Sequence, residues 1–159
     1  MTKVIVFANQ KDGVAKTTFA IALAQALALV GKRIIFLDLD PHENASNTLR
    51  LKDVHPSLYD LMTADEDDKT ILSRRLQKVE GCQYISAVRG DLAYLRLTCN
   101  STVRDVNSSS GSSLRTTRGF DAIIMDTPPT LGILTVNALT SADTVIVPVG
   151  PDGYSLAYI

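Results

Sequence analysis

The chain has almost no net charge, few cysteines and no long apolar run, and each shortage narrows what it can be. Sixteen basic and seventeen acidic residues leave a formal charge of −1. Composition therefore gives no hint of a nucleic-acid, membrane or acidic partner, and only a local basic patch could supply one. The two cysteines, Cys82 and Cys99, have neither CxxC nor Cys/His spacing. They read as reduced thiols of a cytosolic protein. No signal peptide opens the chain, and the first apolar run, residues 4–8, is far too short to span a bilayer. Internal repeats are absent. The expected compartment is the cytoplasm. What is present is ordinary: 159 residues, 45% hydrophobic and 21% charged. That suits one domain, 1–159, with a real core.

Residues 3–8 (KVIVFA) form a short β-branched run of the kind buried in a parallel strand. A loop at 9–15 leads into 16–30, rich in Ala and Leu and of helical length, with Gly31 where a left-handed cap is expected. Residues 33–39 (RIIFLDL) are a second buried strand ending in acidic residues. Strand, loop, helix and strand in this order make a βαβ unit with a right-handed crossover. Pro41 and residues 42–49 suit a turn and a short helix. Residues 57–63 suggest a helical turn, 71–79 a basic amphipathic helix, and 83–88 a third strand. The stretch 91–106 leans towards helix, and 107–113 (NSSSGSS) reads as a linker. Further strands are expected at 121–126 and 144–149, separated by a proline loop at 127–132 and a helix at 133–140. The fold class is α/β, a mostly parallel sheet in three layers, with the phosphate loop at its C-terminal edge.

Residues 11–18 read K-D-G-V-A-K-T-T between a strand and a helix, the context a phosphate loop requires. Successive backbone N–H groups of Lys11, Asp12, Gly13, Val14, Ala15, Lys16, Thr17 and Thr18 would face one concavity, and the helix N-terminus adds partial positive charge. Lys16 would reach the outer phosphates, and the Thr17 hydroxyl would ligate Mg²⁺. Asp38, Asp40 and Asp126 lie at or just beyond strand ends, where ligands of open α/β sheets bind. Three carboxylates there can hold a hydrated Mg²⁺ or orient water. Each of these features alone is common; their convergence on one edge is not.

NQKDGVAKTT resembles the deviant Walker A motif KGGxGKTT of the ParA/MinD-type ATPases. LDLDPHENAS resembles their second motif, and IIMDTPPTLGILTVNALTSAD their Walker B and switch II region. VIVPVGPDGYSLAYI is similar to the strand and segment that follow, so the likeness runs along the chain with a weak stretch near 64–118. The wording is closest to the chromosome and plasmid partition members. The resemblance implies a P-loop NTPase fold binding ATP or ADP with Mg²⁺, and ATP hydrolysis in plasmid or chromosome segregation with a ParB-like stimulating partner or a paralogue. It implies that Lys11 is the signature lysine reaching a partner's phosphates across an ATP-sandwich homodimer, with Lys16 the loop lysine, Thr17 the metal ligand and Thr18 a phosphate contact. Asp40 would position the attacking water, Asp38 and Asp126 would be the acidic groups around the metal, and Thr127, Pro128 and Pro129 would lie in the nucleotide-sensing switch. Lys11, Lys16, Asp40 and Asp126 are thus the expected catalytic set.

Three departures temper that expectation. Asp12 and Ala15 stand where the family has glycine, which permits unusual backbone angles and close approach to phosphate. Ala15 is tolerable if its φ is negative. Asp12 brings a carboxylate near polyphosphate and near the dimer seam, unless it turns outward to a lysine. The family is also implied to continue well beyond residue 159, so the chain reads as truncated at its C-terminal side, either a short relative or a fragment, with little of the family's DNA-contacting surface. The rival reading is a hydrolysis-deficient binding or regulatory module, monomeric or paired with a full-length paralogue. A third is a metabolic P-loop enzyme of the same superfamily.

Overall fold

A computed structural model of the chain describes residues 2–52, 76–88 and 119–150. Their elements run β1 (Lys3–Phe7), α1 (Lys16–Leu29), β2 (Ile34–Asp38), α2 (Asn44–Thr48), β3 (Gln77–Val79), β4 (Cys82–Val88), β5 (Ala122–Asp126), α3 (Ile133–Ser141) and β6 (Thr144–Ile146). The expected elements at 57–63, 91–106 and 107–113 lie outside the described residues.

The strands form one sheet in the order β3-β4-β2-β5-β1-β6. All pairs are parallel except β3 with β4. The central strands are apolar on both faces because both are covered. Val4, Val6, Ile35, Leu37, Ile123 and Met125 pack with Ala138, Leu134 and Leu139 of α3 on one side. Phe7, Ile34, Phe36, Ala122 and Ile124 pack with Ala20, Ile21, Ala24 and Ala28 of α1, and with Ala45 of α2, on the other. The expected three layers therefore form. Three alanines in the buried stripe of α1 let its backbone approach the sheet. Gly31 closes the helix at φ 80°, its N–H donating to the Ala28 carbonyl at 2.9 Å while that of Lys32 reaches Leu27 at 3.0 Å. This is the left-handed cap that the sequence suggested.

The register aligns the strand ends. Phe7 and Asp38 both stand opposite Asp126. Residues alternate across a strand, so Asp38 shares a face with Ile34 and Phe36, and Asp126 with Ala122 and Ile124. Both carboxylates therefore lie on the α1 side, at the edge from which α1 departs.

Two expectations are corrected. The helix expected over 71–79 does not include its last turn, because Gln77–Val79 is a strand antiparallel to β4. Glu80 and Gly81 form the turn between them, Gly81 at φ 77°. The Gln77 side chain adds paired bonds to the Lys52 backbone at 3.0 and 3.1 Å. The last strand is also shorter than 144–149, ending at Ile146.

Candidate functional site

The loop after β1 is held by side chains within its own sequence. Asn9 donates through Nδ2 to the Pro148 carbonyl at 2.8 Å and accepts the Lys11 N–H on Oδ1 at 2.8 Å. The loop thus starts from a fixed point beside β6. Thr127 braces the neighbouring side, its Oγ1 donating to the Phe7 carbonyl at 2.8 Å. A cleft of about 220 Å³ separates Asn9 and Gln10 from Pro128, Pro129 and Leu131, so the expected switch segment borders the loop.

Lys16 is buried at the first position of α1. Its Nζ folds back and donates to the Lys11 carbonyl at 3.1 Å. The lysine is therefore held over the loop by one weak acceptor, which a phosphate oxygen would outcompete as a charged partner. Asp12 and Gly13 are exposed, and Asp12 forms no ion pair with a described residue.

Ala15 overturns the condition under which it was tolerable. Its φ is +63°, so the methyl group sits in the left-handed region where glycine is at ease. Ala15 is the N-cap of α1 and supplies no side-chain cap. The N-cap side chain therefore leaves the first-turn N–H groups of the helix uncapped, the condition an anion site needs.

The three carboxylates do meet at this edge, but their states differ. Asp38 is fully buried and uses both oxygens. Oδ2 accepts the Ser46 N–H at 2.8 Å and its hydroxyl at 2.7 Å, and Oδ1 accepts the Asp40 N–H at 3.2 Å. Burial pushes its carboxyl up, and the Ser46 bonds oppose that. Asp38 is thus the brace that ties α2 and the 40–43 turn to β2. Three carboxylates open to a metal are not found, and no group of three His, Cys, Asp or Glu among the described residues could hold one.

Asp126 is the opposite case. It is fully buried and neither oxygen has a hydrogen-bond partner. Burial pushes its carboxyl up to about 7, helped by the Asp38 and Asp40 charges and opposed by the Thr17 hydroxyl and the Lys16 ammonium. Thr17 is near enough to favour the charged form, but not placed to satisfy either oxygen. An orphaned buried carboxylate beside a threonine hydroxyl fits a hydrated Mg²⁺, which takes few protein oxygens and leaves the rest to water and phosphate.

Asp40 is also nearly buried. Its Oδ1 accepts both the His42 N–H and His42 Nδ1 at 2.9 Å. Asn9, His42 and Ser46 carried no role in the sequence reading. An Asx-type spacing of two marks the first two, Asn9 to Lys11 and Asp40-Pro41-His42.

The structure thus brings Lys16, Thr17, Asp38, Asp40 and Asp126 to one edge of the sheet, and comparison with known proteins supplies a family. A family described as "AAA domain" matches residues 2–159. The chain belongs to this family, among the ParA/MinD-type ATPases. It is 36% identical over 158 residues to the sporulation initiation inhibitor protein Soj of Bacillus subtilis, covering 98% of this chain and 61% of that one. It is 34% identical to the chromosome partitioning protein ParA of Myxococcus xanthus, over 97% of this chain and 54% of the relative. A structure described as Mycobacterium smegmatis cobyrinic acid a,c-diamide synthase, with a bound ATP analogue and magnesium, superposes with a TM-score of 0.75 at 31% identity, covering 94% and 60%. The septum site-determining protein MinD of Pyrococcus horikoshii, complexed with Mg-ADP, shares the fold at a TM-score of 0.77 and 21% identity, covering 99% and 61%. The chain thus spans about three-fifths of the length of these proteins. Among the described residues no helix is long and apolar enough to cross a membrane.

Two measurements follow. Ala15→Gly relieves the left-handed alanine and should raise unfolding free energy by about 1 kcal/mol in urea titration; an unchanged midpoint would mean that the loop relaxes. The raised Asp126 carboxyl gives the folded protein a proton that the unfolded chain releases from pH 3.8 upward, so ligand-free stability falls until about pH 7. Asp126→Asn should therefore be more stable than wild type at pH 8 and lose that advantage by pH 3. Equal stability at pH 8 would contradict the burial.

Proposed function

We propose that this chain binds Mg·ATP and Mg·ADP at residues 11–18 and hydrolyses ATP in the manner of a partition ATPase serving plasmid or chromosome segregation. The observation that carries the reading is the buried, partnerless Asp126 beside Thr17 and Lys16, under a loop whose helix lacks a side-chain cap.

The loop N–H groups from Gly13 to Thr18 bind the phosphate oxygens. Lys16 exchanges the Lys11 carbonyl for phosphate, and Lys11 extends to the phosphates of a second copy or a paralogue. Thr17 and Asp126 hold the magnesium ion, with Asp38 as the brace that fixes the carboxylates around it. When bound, the ion neutralises phosphate charge. Asp40 orients the water, and because phosphoryl transfer needs mainly positioning and charge stabilisation, this set suffices. A ParB-like protein is the stimulating partner in this reading. With a net charge of −1, the chain alone binds DNA weakly or not at all.

A second reading, a binding module that does not hydrolyse, is favoured by Asp12 and by the strained Ala15. A carboxylate within about 5 Å of phosphate costs on the order of 1–3 kcal/mol, or about one to two powers of ten in affinity.

Calorimetry with ADP and a non-hydrolysable ATP analogue separates the outcomes. Lys16→Ala should abolish most affinity for both nucleotides; equal binding by variant and wild type would show a vestigial loop. Asp12→Gly should tighten the ATP analogue about ten- to a hundredfold and ADP less. No gain for either nucleotide would show that Asp12 is harmless, and turnover by the wild type would then decide for the hydrolytic reading.

A further inference from the structure

We propose that His42 is a positioning residue for hydrolysis, fixing the Asp40 carboxylate so that one oxygen is held and the other is left to orient water. The inference rests on the hydrolytic reading above and adds a residue to it.

The local sequence builds this arrangement. Asp40-Pro41-His42-Glu43 is a turn closed by the Glu43 N–H on the Asp40 carbonyl at 2.9 Å. Pro41 sits second, where its fixed φ suits the turn. The Asp40 side chain caps the same turn, accepting the His42 N–H on Oδ1 at 2.9 Å. The imidazole then returns to the same atom, Nδ1 to Oδ1 at 2.9 Å. A carboxylate oxygen only accepts, so Nδ1 carries the hydrogen. Two donors on Oδ1 fix the carboxylate torsion, while Oδ2 has no partner among the described residues. Asp40 lies at the reacting edge: its N–H donates to Asp38 Oδ1 at 3.2 Å, and Asp38 stands opposite Asp126.

Packing does not hold the imidazole. The His42 side chain is 62% exposed while that of Asp40 is 10% exposed. The ring therefore covers no core, and its defined interaction is the bond to Asp40. Removing it creates no cavity but frees the carboxylate to rotate, and misorientation of a water-positioning group lowers rate more than binding. Glu43 supports the same turn at a price, since it holds φ +54° as the N-cap of α2 without a side-chain cap.

The test combines kinetics with spectroscopy. His42→Ala should lower kcat about 10- to 100-fold, leaving KM and the affinity for the ATP analogue unchanged. His42→Asn should recover most of the rate, because its amide nitrogen can take the place of Nδ1. Wild-type turnover by His42→Ala overturns the proposal, as does a loss of nucleotide affinity parallel to the loss of rate. Long-range ¹⁵N–¹H correlation on the ligand-free protein at pH 8 should show the hydrogen on Nδ1 of His42, moving to Nε2 in Asp40→Ala. An Nε2–H form in the wild type overturns the proposal whether or not the protein turns over. Nucleotide binding without turnover in the wild type would instead sink the hydrolytic reading, with the tautomer still deciding the contact.

Discussion

A carboxylate buried without a partner is the constraint on which the site turns. Asp126 ends the central strand β5, in register with Phe7 on one side and Asp38 on the other. Neither of its oxygens has a hydrogen-bond partner among the described residues, and a native interior seldom leaves such a group unsatisfied without a functional reason. The neighbours explain the reason. Asp38 is fully engaged by Ser46 and the Asp40 backbone, Asp40 is held by His42, and Thr127 bonds across to β1. Of the three carboxylates, only Asp126 is left without a hydrogen-bond partner among the described residues. The sheet thus builds a negative floor beneath a loop that supplies positive ends.

The loop and the turn opposite it share a second cost. Both α1 and α2 begin at a non-glycine residue in the left-handed region, Ala15 at φ 63° and Glu43 at φ 54°, and neither helix has a side-chain cap. Such conformations persist where the surroundings over-determine them. Here the surroundings are the Asn9 anchor to Pro148 on one side and the Asp38–Ser46 bonds on the other. The uncapped first turn of α1 leaves its N–H groups for an anion, so the ligand-free protein gives up stability at the place where binding would return it.

Much of this was legible in the sequence, for physical reasons. Residues 4–7 (VIVF) and 122–125 (AIIM) are apolar at every position because both faces of a central parallel strand are covered. Gly31 marked the end of α1 because a left-handed cap favours glycine there. The motif spacing put the loop and the carboxylates on one edge, since parallel strands must end together there. What was not legible depends on three-dimensional choices that residue types leave open. Gln77–Val79 has the composition of a helix end, and pairing with β4 through the Glu80-Gly81 turn made it a strand. The sign of φ at Ala15 is set by how the loop enters α1, not by alanine itself. Three aspartates at strand ends look alike in sequence, and only the hydrogen bonds distinguish the brace Asp38 from the orphan Asp126 and from Asp40 beneath His42.

The most direct test of this account is the magnesium dependence of nucleotide stabilisation, read as the urea midpoint at pH 8 with ADP in the presence and absence of Mg²⁺. A ligand that binds only the folded state raises stability in proportion to its affinity. The account predicts that Mg²⁺ adds to the stabilisation by ADP in the wild type and adds nothing in Asp126→Asn, although that variant is the more stable protein without ligand. Equal magnesium-dependent stabilisation in the two proteins would contradict it, because the buried carboxylate would then be an accident of packing and not the floor of the site.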